Sequence, residues 1–220
     1  MPWATFVVIV LVTLSGCPSK EIAPAPVQSE ESSLAAPEVN AEFLQKAFSP
    51  GTSLANKPLL ADIDGQAGTE ALIAIHHGGK DFEVAVVRAN RKILAHTPLG
   101  GKILAQANIT FVGEFRPLDL LSAGQKAYVM PLETLVWQRS VCGFLVFRYR
   151  HETLSLIGEF ACKCWRKEVG GDGSDPYQYL TPKSQGSEIY LEIQEEEERQ
   201  RYRWDAEQTA FVPIAKIPGH

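Results

Sequence analysis

The sequence has no excess of positive charge. Its 21 Lys and Arg residues are outnumbered by 26 Asp and Glu residues, which gives a formal net charge of −5 at pH 7. Because binding to a nucleic-acid backbone needs a basic surface, we expect no nucleic acid among the partners. At 220 residues, 45% of them hydrophobic, the chain is long enough to bury the core of one domain or at most two small ones.

A hydrophobic run long enough to span a bilayer is also missing. The apolar stretch FVVIVLVTL covers only residues 6–14, whereas a transmembrane helix needs about 20 apolar residues. Its length is typical of a signal-peptide core. It leads into Leu14-Ser15-Gly16-Cys17, which resembles the lipobox of bacterial lipoproteins. The resemblance implies a signal peptide at residues 1–16, cleavage before Cys17, a diacylglycerol on the Cys17 thiol, and acylation of the new amino terminus.

Residues 18–40 (PSKEIAPAPVQSEESSLAAPEVN) lack any apolar periodicity and are rich in Pro, Ala, Ser and Glu. A segment of this composition buries too little apolar surface to fold. We therefore predict a lipidated cysteine and a disordered linker over residues 17–40, followed by a folded domain over residues 41–220. The lipid anchor would hold this domain at a membrane of the bacterial cell envelope, facing the periplasm or the exterior.

After one short predicted helix at residues 41–48, the folded region has the pattern of an all-β protein. Three glycines, Gly68, Gly124 and Gly186, each precede an apolar strand, and their spacings are 124 − 68 = 56 and 186 − 124 = 62 residues. Spacings of this size are typical of repeated supersecondary units. The sequence therefore predicts three hairpin-like or blade-like repeats that form an open or partly closed antiparallel meander, with a β-sandwich as the alternative.

Two hairpins are specific enough to predict cross-strand pairs. In the first, a two-residue turn at Gly78-Gly79 predicts two apolar pairs, Ile75 with Phe82 and Ile73 with Val84. In the third, a turn at Glu196-Glu197 predicts two apolar pairs and one charged pair: Leu191 with Tyr202, Ile189 with Trp204, and Glu192 with Arg201. Each register puts compatible side chains on the same face of the sheet.

An acidic, glycine-bearing turn precedes the first of these strands. The stretch ADIDGQAGTEALIAI, residues 61–75, resembles the loop of FG-GAP or VCBS-type repeats in integrin-like β-propellers. That loop runs Asp-x-Asp-Gly-Asp-Gly-x-x-Asp into a hydrophobic strand. Asp62, Asp64 and Gly65 match it, while Gln66-Ala67 replaces the second Asp-Gly and Glu70 replaces the last Asp.

The resemblance implies a weak calcium site whose oxygen ligands would be Asp62, Asp64, Gln66 and Glu70. The alternative is that the loop is kept for its turn geometry, with the aspartates accepting hydrogen bonds from backbone N–H groups. Apart from this possible calcium ion, we expect no cofactor.

Few cysteines follow Cys17. The three others, Cys142, Cys162 and Cys164, belong to a domain that should face an oxidising compartment. A hairpin folded around His151 sets Cys142 beside residue 161 or 162, which predicts a Cys142–Cys162 disulfide. A Cys142–Cys164 disulfide is the second choice, and either bridge leaves one thiol unpaired. A metal site formed by Cys-x-Cys with His151 is a further alternative, although the paired C-x-x-C spacing is missing.

The usual catalytic motifs are absent. Residues 171–175 (GDGSD) do not match the G-x-S-x-G nucleophile loop, and the two Gly-Gly-Lys stretches lack the other residues of a phosphate-binding loop. We therefore expect a non-catalytic envelope lipoprotein whose β-domain binds a protein or a glycan. The alternative is a calcium-assisted or carboxylate-based hydrolase of the cell envelope, which requires a set of acidic residues to converge: Asp62, Asp64, Glu70, Asp172 and Asp175.

Overall fold

The computed structural model describes residues 37–66, 68–77, 81–99, 108–119, 125–136, 139–164, 173–185, 188–195 and 198–218. The predicted signal peptide, Cys17 and the predicted linker up to residue 36 lie outside these ranges, so they stay predictions. No helix within the described ranges is long and apolar enough to cross a membrane.

Helix α1 (Ala41–Ala47) opens the folded region and is one residue shorter than predicted. Asn40 caps it, because its side-chain oxygen accepts a hydrogen bond of 2.9 Å from the N–H of Phe43. Phe43 and Leu44 are buried and pack against the first sheet, which fixes the orientation of the helix.

Three antiparallel sheets follow α1 in chain order. The first sheet contains five strands: β1 (Ser53–Leu54), β2 (Leu59–Ala61), β3 (Glu70–His76), β4 (Phe82–Arg88) and β5 (Ile93–Pro98). Strands β1 and β2 both pair with β3, and β4 and β5 continue the meander.

The second sheet repeats this plan, and the third is a simple four-stranded meander preceded by a short 3-10 helix (Pro176–Tyr179). The second sheet contains β6 (Asn108–Val112), β7 (Arg116–Leu118), β8 (Ala127–Val136), β9 (Arg139–Arg150) and β10 (Thr153–Cys162). The third contains β11 (Leu180–Gln185), β12 (Glu188–Glu195), β13 (Glu198–Asp205) and β14 (Ala210–Pro218). Strands β3, β8 and β12 begin two or three residues after Gly68, Gly124 and Gly186. The three predicted repeats are therefore confirmed.

The layers pack face to face in the order α1, first sheet, second sheet, third sheet. One core lies between α1 and the first sheet, one between the first and second sheets, and one between the second and third. Representative buried side chains of these three cores are, in the same order, Leu44 and Ile73, Leu72 and Leu145, and Val146 and Leu191. The expected all-β fold is thus confirmed, and its cores lie between successive layers.

The third hairpin has the predicted register. Leu191 lies opposite Tyr202 and Glu192 lies opposite Arg201, with residues 196 and 197 between the two strands. Because β12 and β13 each have one apolar and one polar face, a single register satisfies both faces.

The predicted register of the first hairpin is wrong by one residue. His76 lies opposite Phe82 and Ala74 opposite Val84, so residues 77–81 separate the strands instead of a two-residue turn. The first sheet is covered by α1 on one side and by the second sheet on the other, and β3 is buried on both faces. Hydrophobic alternation therefore does not select a register in this strand.

Candidate functional site

The acidic loop, residues 62–66 between β2 and β3, brings predicted calcium ligands together. Carboxylate oxygens of Asp62, Asp64 and Glu70 lie within 4.8 Å of one another. Among the residues that the structure describes, this is the only group of three or more His, Cys, Asp or Glu side chains with such spacing.

The two aspartates accept hydrogen bonds from the backbone of their own loop. Asp62 Oδ1 accepts one of 2.8 Å from the N–H of Gly65, and Asp64 Oδ1 accepts one of 2.9 Å from the N–H of Gln66. Gly65 has a φ of +75°, a conformation that glycine adopts without strain. These contacts are those expected of a loop that is kept for its turn geometry.

Glu70, the first residue of β3, is almost completely buried, with 1% exposure. Its Oε2 accepts a hydrogen bond of 3.0 Å from the N–H of Ile63, which ties the loop to the strand. Its Oε1 has no hydrogen bond within the described part of the chain. The cationic partner of this oxygen is Arg88, whose Nε lies 3.5 Å away.

Arg88, the last residue of β4, points its guanidinium into the acidic loop. Its Nη2 donates one hydrogen bond to Asp64 Oδ2 and another, of 3.3 Å, to Gln66 Oε1. The hydrogen bond to Asp64, together with the charges of Asp64 and Glu70, raises the pKa of Arg88 above its usual value.

Arg88 shares the oxygens that the calcium hypothesis assigns to the ion. Calcium takes roughly six to eight oxygen ligands, whereas one oxygen of each of the three carboxylates already accepts a backbone N–H. Further oxygens of Asp64, Gln66 and Glu70 face the guanidinium. Three of the four residues predicted to hold calcium therefore face a cationic side chain of the protein itself.

Asp175 does not belong to this cluster. It caps the 3-10 helix by accepting a hydrogen bond of 3.0 Å from the N–H of Tyr177, and it pairs with Arg116 at 2.8 Å. Burial acts to raise the pKa of Asp175, but the hydrogen bonds from Tyr177 and Arg116 outweigh it and lower the pKa below its usual value. Asp172, the fifth acidic residue of the hydrolase hypothesis, lies outside the described residues.

The disulfide joins Cys142 to Cys164, whose Cα atoms are 4.9 Å apart. The first choice, Cys142–Cys162, is therefore wrong, and the second is confirmed. Cys162 does lie opposite Cys142 in the β9–β10 pairing. Residues two apart on an extended chain share a face, however, so the register does not decide whether Cys162 or Cys164 forms the bridge.

Cys162 is the free thiol, and burial raises its pKa. Because Cys164 of the Cys-x-Cys pair forms the bridge, the alternative metal site with His151 is not formed.

A polar cavity of about 350 Å³ lies on the third sheet. Leu191 and Ile193 of β12 face the second sheet, so the alternating residues Glu192 and Gln194 lie on the opposite face, away from the stack. The residues that line the cavity come from the segment after β10, the 3-10 helix and strands β11 to β13: Lys163, Gln178, Tyr179, Thr181, Glu192, Gln194 and Arg199.

Ion pairing leaves this polar cavity with a positive character. Arg201 donates two hydrogen bonds to Glu192 Oε1, of 2.6 Å from Nη2 and 3.0 Å from Nε. Arg199 Nε donates one of 3.0 Å to Gln194 Oε1. The N–H of Lys163 donates to the carbonyl of Gln194 at 2.9 Å, which holds this segment beside the sheet. With Glu192 neutralised, the remaining lining charges are the cations of Lys163 and Arg199.

The sequence did not predict this cavity. Alternation in β12 and β13 does mark a polar face on the third hairpin. Lys163 and Gln178 reach that face from two other segments, however, and no local pattern predicts where those segments pack.

No protein-family model matches the chain, and no curated protein matches it in sequence. The fold and the site define an all-β protein of three stacked sheets, with five, five and four strands, and a small polar cavity on the last sheet.

Proposed function

We propose that this protein is a lipid-anchored envelope protein whose β-domain is a non-catalytic module that binds a glycan. The polar cavity on the third sheet is the observation that carries this proposal. Small-ligand sites are typically concave, have volumes of a few hundred Å³ and contain a few placed polar groups. The cavity, at about 350 Å³, has this size, and its lining is mostly polar.

The lining side chains favour a glycan over a protein partner. Sugar hydroxyls both donate and accept hydrogen bonds, and the lining offers amide, hydroxyl and charged groups that do the same. Protein interfaces depend on large aromatic and arginine anchors seated in apolar pockets. Among the described residues of the lining, Tyr179 is the one aromatic residue, and it is only 7% exposed. Lys163 and Arg199 favour a sugar that carries a carboxylate.

The contacts of the acidic residues support binding rather than hydrolysis. Carboxylate-based glycoside hydrolysis uses two carboxyl groups about 5–9.5 Å apart, one as an acid and one as a base or nucleophile. Glu192 at the cavity is paired with Arg201. The carboxylates of the acidic loop are held by backbone N–H groups and by Arg88. The proposed function accordingly requires no cofactor.

Calorimetric titration of the purified protein tests this proposal, with peptidoglycan-derived muropeptides as carboxylated ligands and neutral oligosaccharides for comparison. We expect binding of the carboxylated sugars. Thr181→Trp fills the cavity and Arg199→Gln removes a cation, so each should weaken binding about tenfold or more. Lys183→Gln is the matched control, because Lys183 lies on β11 two residues from Thr181 but outside the cavity lining. The affinity of this variant for the sugars should equal that of the wild type.

Three outcomes would contradict the proposal. Equal binding by the wild type and Thr181→Trp would place the ligand outside the cavity. Release of new reducing ends during incubation would show that the domain is catalytic. Failure to bind any of the sugars would favour a protein partner instead, which cross-linking in native membranes would capture.

A further inference from the structure

We infer that the Arg88 guanidinium is the resident cation of the acidic loop and takes the place that a divalent ion would occupy. The loop then needs no calcium to fold, although its sequence resembles a calcium-binding loop. This holds whether or not the polar cavity binds a glycan, because the two features lie on different sheets.

The acidic loop needs a cation because two of its three carboxylates are buried. The side chains of Asp64 and Glu70 retain only 5% and 1% exposure. All three carboxylates lie within 4.8 Å of one another, and like charges repel strongly at this distance when water is excluded. The backbone N–H groups that bond to them carry no net charge, so they offset only part of this repulsion.

Arg88 supplies the missing charge in a suitable geometry. A guanidinium is a planar fork of five N–H donors that suits several oxygen acceptors at once. Here Nη2 bonds to Asp64 and Gln66, and Nε faces Glu70. Three of the four predicted calcium ligands thus point to one side chain. A calcium ion in the same place would lie against the guanidinium and be repelled by it.

Strand pairing brings Arg88 to the loop. Glu70 and Arg88 are direct partners in the β3–β4 ladder, as the first residue of one strand and the last residue of the other. A slip of one residue would turn Arg88 to the opposite face of the sheet. The ion pair and the observed register therefore stabilise each other.

Gln66, which replaces an Asp of the resembling loop, suits Arg88 as a partner because a guanidinium carries a single positive charge. The resembling loop has an Asp at this position, which would add a fourth carboxylate. Gln66 keeps an acceptor oxygen, 3.3 Å from Arg88 Nη2, without the negative charge. The substitution therefore brings the charge of the loop closer to what one guanidinium balances.

Thermal melts and calorimetric calcium titrations of the full chain in detergent, with and without a chelator, test this inference. Millimolar calcium should leave the Tm of the wild type unchanged and should give no binding heat. Arg88→Met keeps a long apolar side chain but removes the charge. Its Tm should fall by about 4–8 °C in chelator, because buried carboxylates lose their partner, and should recover in part with millimolar calcium.

Two further variants sharpen the comparison. Arg91→Met is the matched control, because Arg91 lies three residues away and pairs at 3.3 Å with the exposed Glu38; neither its Tm nor its calcium response should change. Arg88→Lys keeps the charge without the fork of donors, so its Tm should fall without any calcium response.

The inference would be overturned if calcium raised the Tm of the wild type and Asp62→Ala abolished that rise, because the ion would then bind beside Arg88. It would equally be overturned if Arg88→Met were as stable as the wild type in chelator. The wild-type titration decides the question even if Arg88→Met does not fold. Folding of that variant only when calcium is present would support the inference.

Discussion

At the scale of single residues, packing between the second and third sheets depends on the lack of a side chain at Gly158. A Cβ at this position would lie 2.7 Å and 2.9 Å from ring carbons of Phe160 and 3.2 Å from one of Phe211. Phe160 packs against Tyr202 and Phe211, with ring centroids 4.6 Å and 5.7 Å apart. The glycine therefore gives this aromatic cluster its space, at a point where the β9–β10 register is irregular.

We predict that Gly158→Ala lowers the free energy of unfolding by about 1–3 kcal/mol, because the added methyl group overpacks the aromatic cluster. Urea denaturation followed by tryptophan fluorescence measures the change. Phe160→Leu opens space next to the new methyl group, so the double variant should lose less stability than the sum of the two single variants. A Gly158→Ala protein with wild-type stability would show that the rings move aside at no cost.

The acidic loop shows which contacts of single residues the sequence predicts. Asp62 and Asp64 bond to N–H groups two or three residues ahead, and such local contacts follow from residue type and spacing. Arg88 lies 24 residues from Asp64 and reaches it only through strand pairing. No local sequence pattern indicates that Arg88, at the end of β4, pairs with acidic residues at the start of β3.

At the scale of secondary-structure elements, a hairpin register can be predicted when the two faces of the hairpin lie in different environments. Strands β12 and β13 have an apolar face toward the second sheet and a polar face with the Glu192–Arg201 pair, so only one register is satisfactory. Strand β3 is buried on both faces, and a register shifted by one residue buries it equally well. The fold class and the three repeats were predicted correctly because they depend on strand-forming runs and glycine turns, which are local.

The disulfide fastens the segment after β10 to β9 at the point where that segment turns toward the third sheet. Replacing both Cys142 and Cys164 by Ser should lower the free energy of unfolding by about 3 kcal/mol. A bridge between residues 22 apart restricts the unfolded chain by about this amount. Chemical denaturation under non-reducing conditions measures the loss, and Cys162→Ser is the control that leaves the bridge intact.

Alkylation of the unreduced protein checks the same pairing. Cys162 should be labelled readily after denaturation but slowly in the folded protein, because burial raises its pKa and the thiolate is the form that reacts. A disulfide-linked peptide that contains Cys142 and Cys162, found by mass spectrometry, would contradict the Cys142–Cys164 bridge.

At the scale of the whole molecule, the order of the layers separates the chain entry from the polar cavity. Helix α1 follows the predicted linker and covers the first sheet. The polar cavity lies on the third sheet, and the second sheet lies between them. A domain attached through residues that precede α1 therefore carries its cavity at the end of the stack farthest from the attachment point.

The anchor itself is tested by Cys17→Ala. This substitution should abolish labelling by a palmitate analogue and move the protein from the detergent phase to the aqueous phase, because the acyl chains supply the membrane affinity. Gel fluorescence of the labelled protein and detergent phase partition measure these two effects. Cys162→Ala is the control and should keep both properties. Labelling that survives in Cys17→Ala would contradict the lipobox interpretation.

A linear stack of sheets has two terminal faces, and each needs a cap. A terminal face that stayed apolar would accept another layer from a second copy, and such head-to-tail addition does not close on itself. Helix α1 covers one terminal face, and the other bears the charged side chains of Glu192, Arg199 and Arg201. These charged side chains oppose the addition of another layer as well as lining a cavity, and we expect an entirely apolar face there to favour head-to-tail association.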